Sequence, residues 1–177
     1  MGMKYKELYI FVEGNDDERF FRIILVPMLE KYYNIIRLWK YTGKPYKKVN
    51  DLLRSLKKMS CDYIMLADIN HEPCISLKKQ KILKKYNKIE ENKVIVVTKE
   101  VESWYLAGLS DTKLQEWRIS PFQTTDNINK EKFKGLIPKK YSKIDFMVEL
   151  LKHYCPKTAI KKNRSFKYFI EKNKLKV

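Results

Sequence analysis

Two acidic segments of this sequence each follow a run of apolar residues. Glu13 comes directly after the apolar run of residues 8–12, and Asp17 lies four positions further along the chain. Asp68 follows a second apolar run, residues 63–67. An ionised carboxylate at the end of a buried strand is costly unless a cation or hydrogen bonds compensate it. The two segments therefore predict carboxylates that bind a cation.

The second acidic segment reads Asp68-Ile69-Asn70-His71-Glu72. If it is extended, alternate side chains point the same way, and Asp68, Asn70 and Glu72 present three oxygen ligands. Hard divalent cations prefer oxygen ligands, and Mg²⁺ keeps water and substrate phosphate in the rest of its shell. We therefore expect Mg²⁺, or Mn²⁺ in its place, at this segment and Glu13.

The elements that must position these residues alternate along the first part of the chain. Apolar runs at 8–12, 63–67 and 94–97 and the mixed segment 35–41 predict four strands, and residues with helical spacing lie between them. This pattern predicts an α/β fold with a mostly parallel four-stranded sheet and helices on both faces. Ligands of such sheets bind at the carboxyl ends of the strands, which places Glu13 and Asp68 at one edge.

The pattern changes after residue 110. Turn-forming residues interrupt the chain until helical spacing returns at 142–154 and 165–174. We predict an α/β domain over residues 1–110 and a basic, helical C-terminal appendage over 111–177 that packs on it.

The net charge of the chain is +17, and residues 130–177 contribute much of it, with fifteen basic and four acidic residues. Such a balance favours a nucleic acid, DNA or RNA, as partner. A competing explanation is compositional, because thermophily or AT-rich codon usage also produces a strong excess of Lys over Arg. The three scattered cysteines indicate a reducing compartment and predict a cytoplasmic protein, and no apolar run is long enough for a membrane span.

The two acidic segments, Glu13-Gly14-x-x-Asp17 and Asp68-x-Asn70-x-Glu72, resemble the Toprim domain of topoisomerases, bacterial primases and OLD-type nucleases. Two further stretches are similar to small Toprim-like proteins related to the OLD family. One is the "E-x-E-x-W-x-L-A" stretch that begins at Glu100, and the other is the "R-S-F" segment that begins at Arg164. The middle residue of the second segment is Asn70, where the Toprim pattern has Asp.

The resemblance implies a Toprim or Rossmann-like fold and a metal-dependent phosphodiester reaction, as in a nuclease. It implies that Glu13 transfers a proton or bridges metals and that Asp68 and Glu72 bind metal, with Asp17 and Glu102 in support. A basic residue, Lys157, Lys161 or Arg164, would neutralise the phosphate, and the sequence does not choose between them. The predicted set is therefore Glu13, Asp17 and Asp68 as catalytic residues and Glu13, Asp68, Asn70, Glu72 and Glu102 as metal ligands.

Other interpretations remain open at the sequence level. Asp17 and Glu102 would also suit the first turn of a helix, and Asp68 a turn after a strand. His71, Cys74, His153 and Cys155 carry zinc-type donors, but their spacing is not that of a zinc site. The chain would alternatively be a non-catalytic nucleic-acid-binding module, or a subunit of a defence-type assembly with an ATPase partner, as the OLD resemblance implies.

Overall fold

A parallel sheet organises the first part of the chain. The computed structural model describes residues 5–177, and its four strands are β1 (Glu7–Val12), β2 (Ile35–Lys40), β3 (Asp62–Asp68) and β4 (Val94–Val97). The strand order is β2-β1-β3-β4, and all four strands are parallel. The predicted fold class, an α/β sheet followed by C-terminal helices, is confirmed.

The sheet register brings the ends of β1 and β3 to the same edge. Leu8 pairs with Asp62 and Phe11 with Met65, so Val12 and Leu66 are neighbours one step further along. β1 and β3 are almost entirely buried, as expected for continuous apolar strands covered on both faces. The residues that follow these two strands must therefore lie close together.

Helices follow the strands of the first unit, as the helical spacing between the strands predicts. They are α1 (Asn15–Phe20), a π-helical segment (Phe21–Leu25), α2 (Val26–Leu29), α3 (Tyr46–Lys58) and α4 (Ile75–Lys85). A short 3-10 turn, Glu91–Lys93, precedes β4. The buried faces of α3 and α4 pack with β1, β3 and β4 in a core that includes Phe11, Val49, Leu53, Met65 and Ile82.

The remaining helices form a second unit. The chain divides into one compact unit that ends at Val96 and another over Val97–Val177. The second contains α5 (Glu102–Ala107), α6 (Asp111–Glu116), α7 (Lys130–Leu136), α8 (Lys143–Lys152), α9 (Pro156–Lys162) and α10 (Arg164–Lys172). α5 packs against α7, α8 and α9, whereas the predicted division at residue 110 assigns α5 to the sheet domain.

Asn163 is a buried polar hub in the second unit. Its side-chain nitrogen donates to the hydroxyls of Ser103 at 3.2 Å and Thr125 at 3.1 Å. Its side-chain oxygen accepts from the Ser165 hydroxyl at 2.8 Å and from the Phe166 amide at 2.9 Å, which caps α10. All four hydrogen-bonding positions of the amide are used, as a buried polar group requires. The hub joins α5, α10 and the segment around Thr125.

Two of the sequence motifs meet in this unit. Trp104 is fully buried, and its indole nitrogen donates to the Ser165 hydroxyl at 2.8 Å. Its ring packs edge-on against Phe166 at 5.3 Å between centroids. The "E-x-E-x-W" and "R-S-F" stretches therefore build one core. In the described range of residues, 5–177, no helix has the length and apolar character that a membrane span needs.

Candidate metal and catalytic site

Glu13 lies at the carboxyl end of β1, half-buried, with its carboxylate against the end of β3. Its Oε1 atom accepts a hydrogen bond from the backbone amide of Asp68 at 3.2 Å. The same oxygen accepts from the Tyr41 hydroxyl at 3.1 Å. The contact forms because β1 and β3 are adjacent and parallel, so that their carboxyl ends share an edge. The sheet thus brings together the two residues that open the acidic segments.

Asp68 is the last residue of β3, and it is 3% exposed. Asp17 lies in the first turn of α1, and it is 5% exposed. The Oδ2 atom of Asp17 accepts from the Gly14 amide at 2.9 Å, which fixes the turn immediately after Glu13. Gly14 occupies the N-cap position of α1, and Asp17 is its third helical residue. Asp17 thus has an observed role in shaping the chain beside Glu13.

The segment after Asp68 turns instead of extending. Asn70 has a φ of 53° and is exposed, and the amide of Glu72 donates to the Ile69 carbonyl at 3.1 Å. Asn tolerates the left-handed region better than most residues, so it suits this turn. The expectation that Asp68, Asn70 and Glu72 share one face of an extended segment is therefore wrong. The Glu72 carboxylate pairs with the Lys81 ammonium of α4.

Tyr41 is a member of this edge that the sequence interpretation did not single out. It follows β2 directly and is 5% exposed, and its hydroxyl lies within hydrogen-bond distance of Glu13 and, at 2.9 Å, of the Leu66 carbonyl. Burial, and after it the negative charge of Glu13, raises the pKa of Tyr41 well above its ordinary value. The phenol thus stays a neutral donor at ordinary pH. The next residue, Thr42, donates from its hydroxyl to the backbone carbonyl of Glu13. The rule that identified Glu13 and Asp68, that strand ends meet at one edge, also identifies Tyr41.

The carboxylates of the "E-x-E" stretch belong to the second unit, and lysines contact both. Glu102 is fully buried, and its Oε1 atom lies 2.9 Å from the Lys143 ammonium of α8. Glu100 lies 3.0 Å from the Lys130 ammonium of α7 and also accepts from the Lys130 amide at 2.5 Å. The two acidic residues thus connect α5 and the turn before it to α7 and α8.

The donor chemistry at the sheet edge suits a hard cation. Carboxylate oxygens of Glu13 and Asp68 are ligands that Mg²⁺ prefers, and Mg²⁺ often uses one or two protein carboxylates together with water and phosphate. Among residues 5–177, no group of three or more His, Cys, Asp and Glu side chains is arranged to hold a metal ion. The edge therefore brings together two residues whose carboxylate oxygens are of the type that Mg²⁺ prefers, without a cage of protein ligands among residues 5–177.

Fold and edge together define an α/β protein with carboxylates at the carboxyl ends of adjacent parallel strands. No family model matches the sequence, and the comparison with curated proteins finds no match. Among solved structures, the chain is similar to the C-terminal region of the Burkholderia pseudomallei OLD protein. The TM-score is 0.52 at 16% identity, over 94% of this chain and 96% of that chain.

A second solved structure is the C-terminal region of the Xanthomonas campestris pv. campestris OLD protein. Its TM-score is 0.37 at 13% identity, over 84% of this chain and 79% of that chain. The predicted resemblance to the Toprim region of OLD family proteins is thus confirmed as a similarity of structure, at low sequence identity.

Proposed function

We propose that this protein is a Mg²⁺-dependent nuclease, or a related phosphodiester-processing enzyme, that acts on a nucleic acid at the edge formed by β1, β2 and β3. The observation that carries the proposal is the hydrogen bond between the Glu13 carboxylate and the Asp68 amide at 3.2 Å. It supports a common role for two acidic segments that are 55 residues apart in the sequence. The fold shared with the OLD C-terminal region adds support.

The proposed roles follow from the surroundings of each side chain. Glu13 would transfer a proton or help to hold the metal, and the Asp68 amide and the Tyr41 hydroxyl hold it in one orientation. Asp68 is the main metal ligand. Asp17 holds the turn at Gly14. Bound Mg²⁺ would supply Lewis-acid activation and neutralise charge on the phosphate.

Asn70, Glu72 and Glu102 remain proposed peripheral ligands. Glu72 and Glu102 each pair with a lysine, so either would have to exchange an ammonium for a metal before it could bind one. Glu13 differs, because no lysine, arginine or histidine within residues 5–177 forms an ion pair with it. We therefore place the centre of the site at Glu13 and Asp68.

The proposed substrate class, a nucleic acid, rests on the net charge of the chain, because a charge of +17 favours a polyanionic partner. We propose a cytoplasmic location, which the three free cysteines Cys61, Cys74 and Cys155 support.

A cleavage assay tests this function. Labelled single- and double-stranded DNA and RNA would be incubated with the protein in Mg²⁺ or Mn²⁺, with and without a chelator. We expect cleavage of at least one substrate that the chelator abolishes, and a loss of about 100-fold or more in Asp68→Asn. Glu100→Gln is the matched control, since it removes one carboxylate charge from the second unit. Absence of metal-dependent cleavage by the wild type would contradict the proposal.

A second candidate is a non-catalytic binding module that works with an ATPase partner. The turn at Asn70 and the Glu72–Lys81 pair favour it, because they leave fewer carboxylates facing the edge. The first solved neighbour is one region of an OLD protein, which is consistent with a function that needs further regions. This candidate predicts nucleic-acid binding that a chelator does not change, and an ATPase that co-purifies with the chain.

A further inference from the structure

An open groove of about 810 Å³ lies in the second unit. The end of α9, the start of α10 and the segment around Asp126 form its walls. Four of the residues that line it are basic, Lys161, Lys162, Arg164 and Lys167, and Asp126 is the acidic one.

The cations of this groove divide into a structural one and three that face solvent. Lys162 is 13% exposed at its side chain and pairs with Asp111 at 2.7 Å, while it also donates to the Leu109 carbonyl at 3.0 Å. Lys161 is exposed, and in the described part of the chain it has no ion-pair partner. The side chain of Lys167 is 56% exposed, and its contact with Glu171, at 3.8 Å, is long. Long exposed pairs contribute little, so this ammonium remains available.

Asp126 holds Arg164 in place, and most of the Arg164 side chain remains exposed to solvent. Its Nε atom donates to Asp126 Oδ2 at 2.6 Å, and its backbone amide donates to Asp126 Oδ1 at 2.9 Å. Asp126 is buried, so its contacts hold the Nε end of the guanidinium group in place. The Arg164 side chain as a whole is 86% exposed. A guanidinium has five N–H donors in a planar fork that suits phosphate. The same two bonds compensate the charge of Asp126, so it does not oppose an anion in the groove.

The spacing of the three solvent-facing cations suits a linear polyanion. Arg164 and Lys167 are three residues apart on α10 and share a face of that helix. Lys161 lies three residues before Arg164, across the break at Asn163 between α9 and α10. Three separate cations that line one groove match several phosphates of a chain better than they match one small anion.

The lining contains no aromatic side chain: besides the residues above, it consists of Thr124, Asn127, Ile160 and Asn163. Strand-binding grooves that read unpaired bases usually stack them on aromatic rings. Contacts with phosphate alone carry no sequence information.

We propose that this groove binds the phosphate backbone of a nucleic acid, independently of sequence, through Lys161, Arg164 and Lys167. The inference rests on the proposed function for its choice of a nucleic acid as partner. It adds a binding surface within the second unit that does not need metal.

Binding as a function of salt tests the groove. The probes are a labelled mixed-sequence duplex and the corresponding single strand, in chelator so that cleavage does not interfere. Three proteins are compared: the wild type, the groove variant Lys161→Gln/Arg164→Gln/Lys167→Gln, and the control Lys48→Gln/Lys57→Gln/Lys58→Gln. The control removes the same charge from exposed lysines of α3.

We expect the slope of log Kd against log salt to fall by about two to three in the groove variant, and by clearly less in the control. We expect wild-type affinity to be the same for unrelated sequences. Since Arg164→Gln also breaks the Asp126 pair, Lys161→Gln/Lys167→Gln serves as a second variant. It keeps that pair, and its slope should fall by about 1.5.

Equal slopes for groove and control variants would overturn the proposal, as would absence of wild-type binding. Binding of anionic lipid vesicles, but not of nucleic acid, through these three residues would overturn it in favour of a membrane surface. The proposed cleavage activity is tested by a separate pair of outcomes. Asp68→Asn should bind like the wild type without cutting, and a wild type that binds through the groove but never cuts contradicts the nuclease alone.

Discussion

Glu13 and Glu102 are carboxylates from two different units, and sequence motifs assign both to a metal site. Their surroundings differ in charge. Glu13 is half-buried and accepts from two neutral donors, the Asp68 amide and the Tyr41 hydroxyl. Glu102 is fully buried and contacts the Lys143 ammonium at 2.9 Å.

This difference determines how much a bound metal ion would stabilise each carboxylate. A buried ionised carboxylate needs compensation, and an ammonium within hydrogen-bond distance supplies it from the protein itself. Neutral donors orient a carboxylate but do not cancel its charge. A cation from solution therefore binds more favourably at Glu13, whereas at Glu102 it must first displace Lys143. A motif match alone does not distinguish these two cases. The hydrogen-bonding or ion-pair partner of each carboxylate does.

The largest expected effect follows from removing the charge of Glu13. Glu13→Gln keeps an oxygen that can accept from the Asp68 amide and Tyr41, so the local structure should persist. We expect a loss of about 10²- to 10⁴-fold in the rate of metal-dependent cleavage, the range for a group that transfers a proton. Single-turnover cleavage under saturating protein measures it.

Glu102→Gln is the matched variant in the second unit, and it should cut within about tenfold of the wild type. A readout without turnover accompanies this pair. Mn²⁺ should raise the thermal midpoint of the wild type and of Glu102→Gln, but not that of Glu13→Gln, because binding to the native state stabilises it. Equal losses in both variants would remove the distinction between the two carboxylates.

The next largest effect is on stability, and it follows from removing the Lys143 ammonium of the second unit. Lys143→Met leaves Glu102 buried without its ammonium, and because the Lys143 side chain is 38% exposed, the loss of this part-buried pair should cost about 2 kcal/mol of unfolding free energy. Urea unfolding followed by circular dichroism measures it. The double variant Glu102→Gln/Lys143→Met should recover part of the loss, since it no longer buries an unpaired charge. Additive losses in the double variant would show that the pair is not coupled.

A smaller effect is expected at Tyr41, which we interpret as a positioning residue for Glu13. Tyr41→Phe keeps the ring, which packs edge-on against Tyr86 at 5.9 Å, and removes the hydroxyl. We expect about 1 kcal/mol less stability and a loss of about tenfold in kcat with little change in KM. Because the pKa of Tyr41 is raised well above its usual value, the pH–rate profile between pH 6 and 9 should keep its shape. A new titration in that range would contradict a positioning role.

Much of the fold and the proximity of Glu13 and Asp68 were predictable, and the physical reasons are local. β1, β3 and β4 contain continuous apolar runs, and β2 is an apolar segment interrupted by Arg37 and Lys40, so the strand positions and their parallel direction follow from the pattern. Glu13 and Asp68 each end such a run, and the shared edge follows from topology. What could not be predicted depends on turns and long-range partners. The left-handed φ of Asn70 breaks the extended segment, and no local pattern assigns Lys81 to Glu72 or Lys143 to Glu102.

The smallest effect is expected at the pair that the turn creates, Glu72 and Lys81. The Lys81 side chain is 68% exposed, and surface pairs of this kind contribute about 0–1 kcal/mol. Lys81→Gln should therefore leave the urea midpoint nearly unchanged. If Glu72 is a peripheral ligand, the variant also releases it from a competing ammonium, and Mn²⁺ should bind about two- to fivefold more tightly.

Glu72→Gln/Lys81→Gln is the control for this gain, because it removes the same lysine but lacks the released carboxylate. The tighter binding of Mn²⁺ in Lys81→Gln should disappear in the double variant, as isothermal titration of Mn²⁺ would show. If both variants bind Mn²⁺ as the wild type does, then Glu72 lies outside the site. The carboxylates that bind metal would then be those that neutral donors orient without cancelling their charge, and Glu72 would share with Glu102 a cationic partner supplied by the protein.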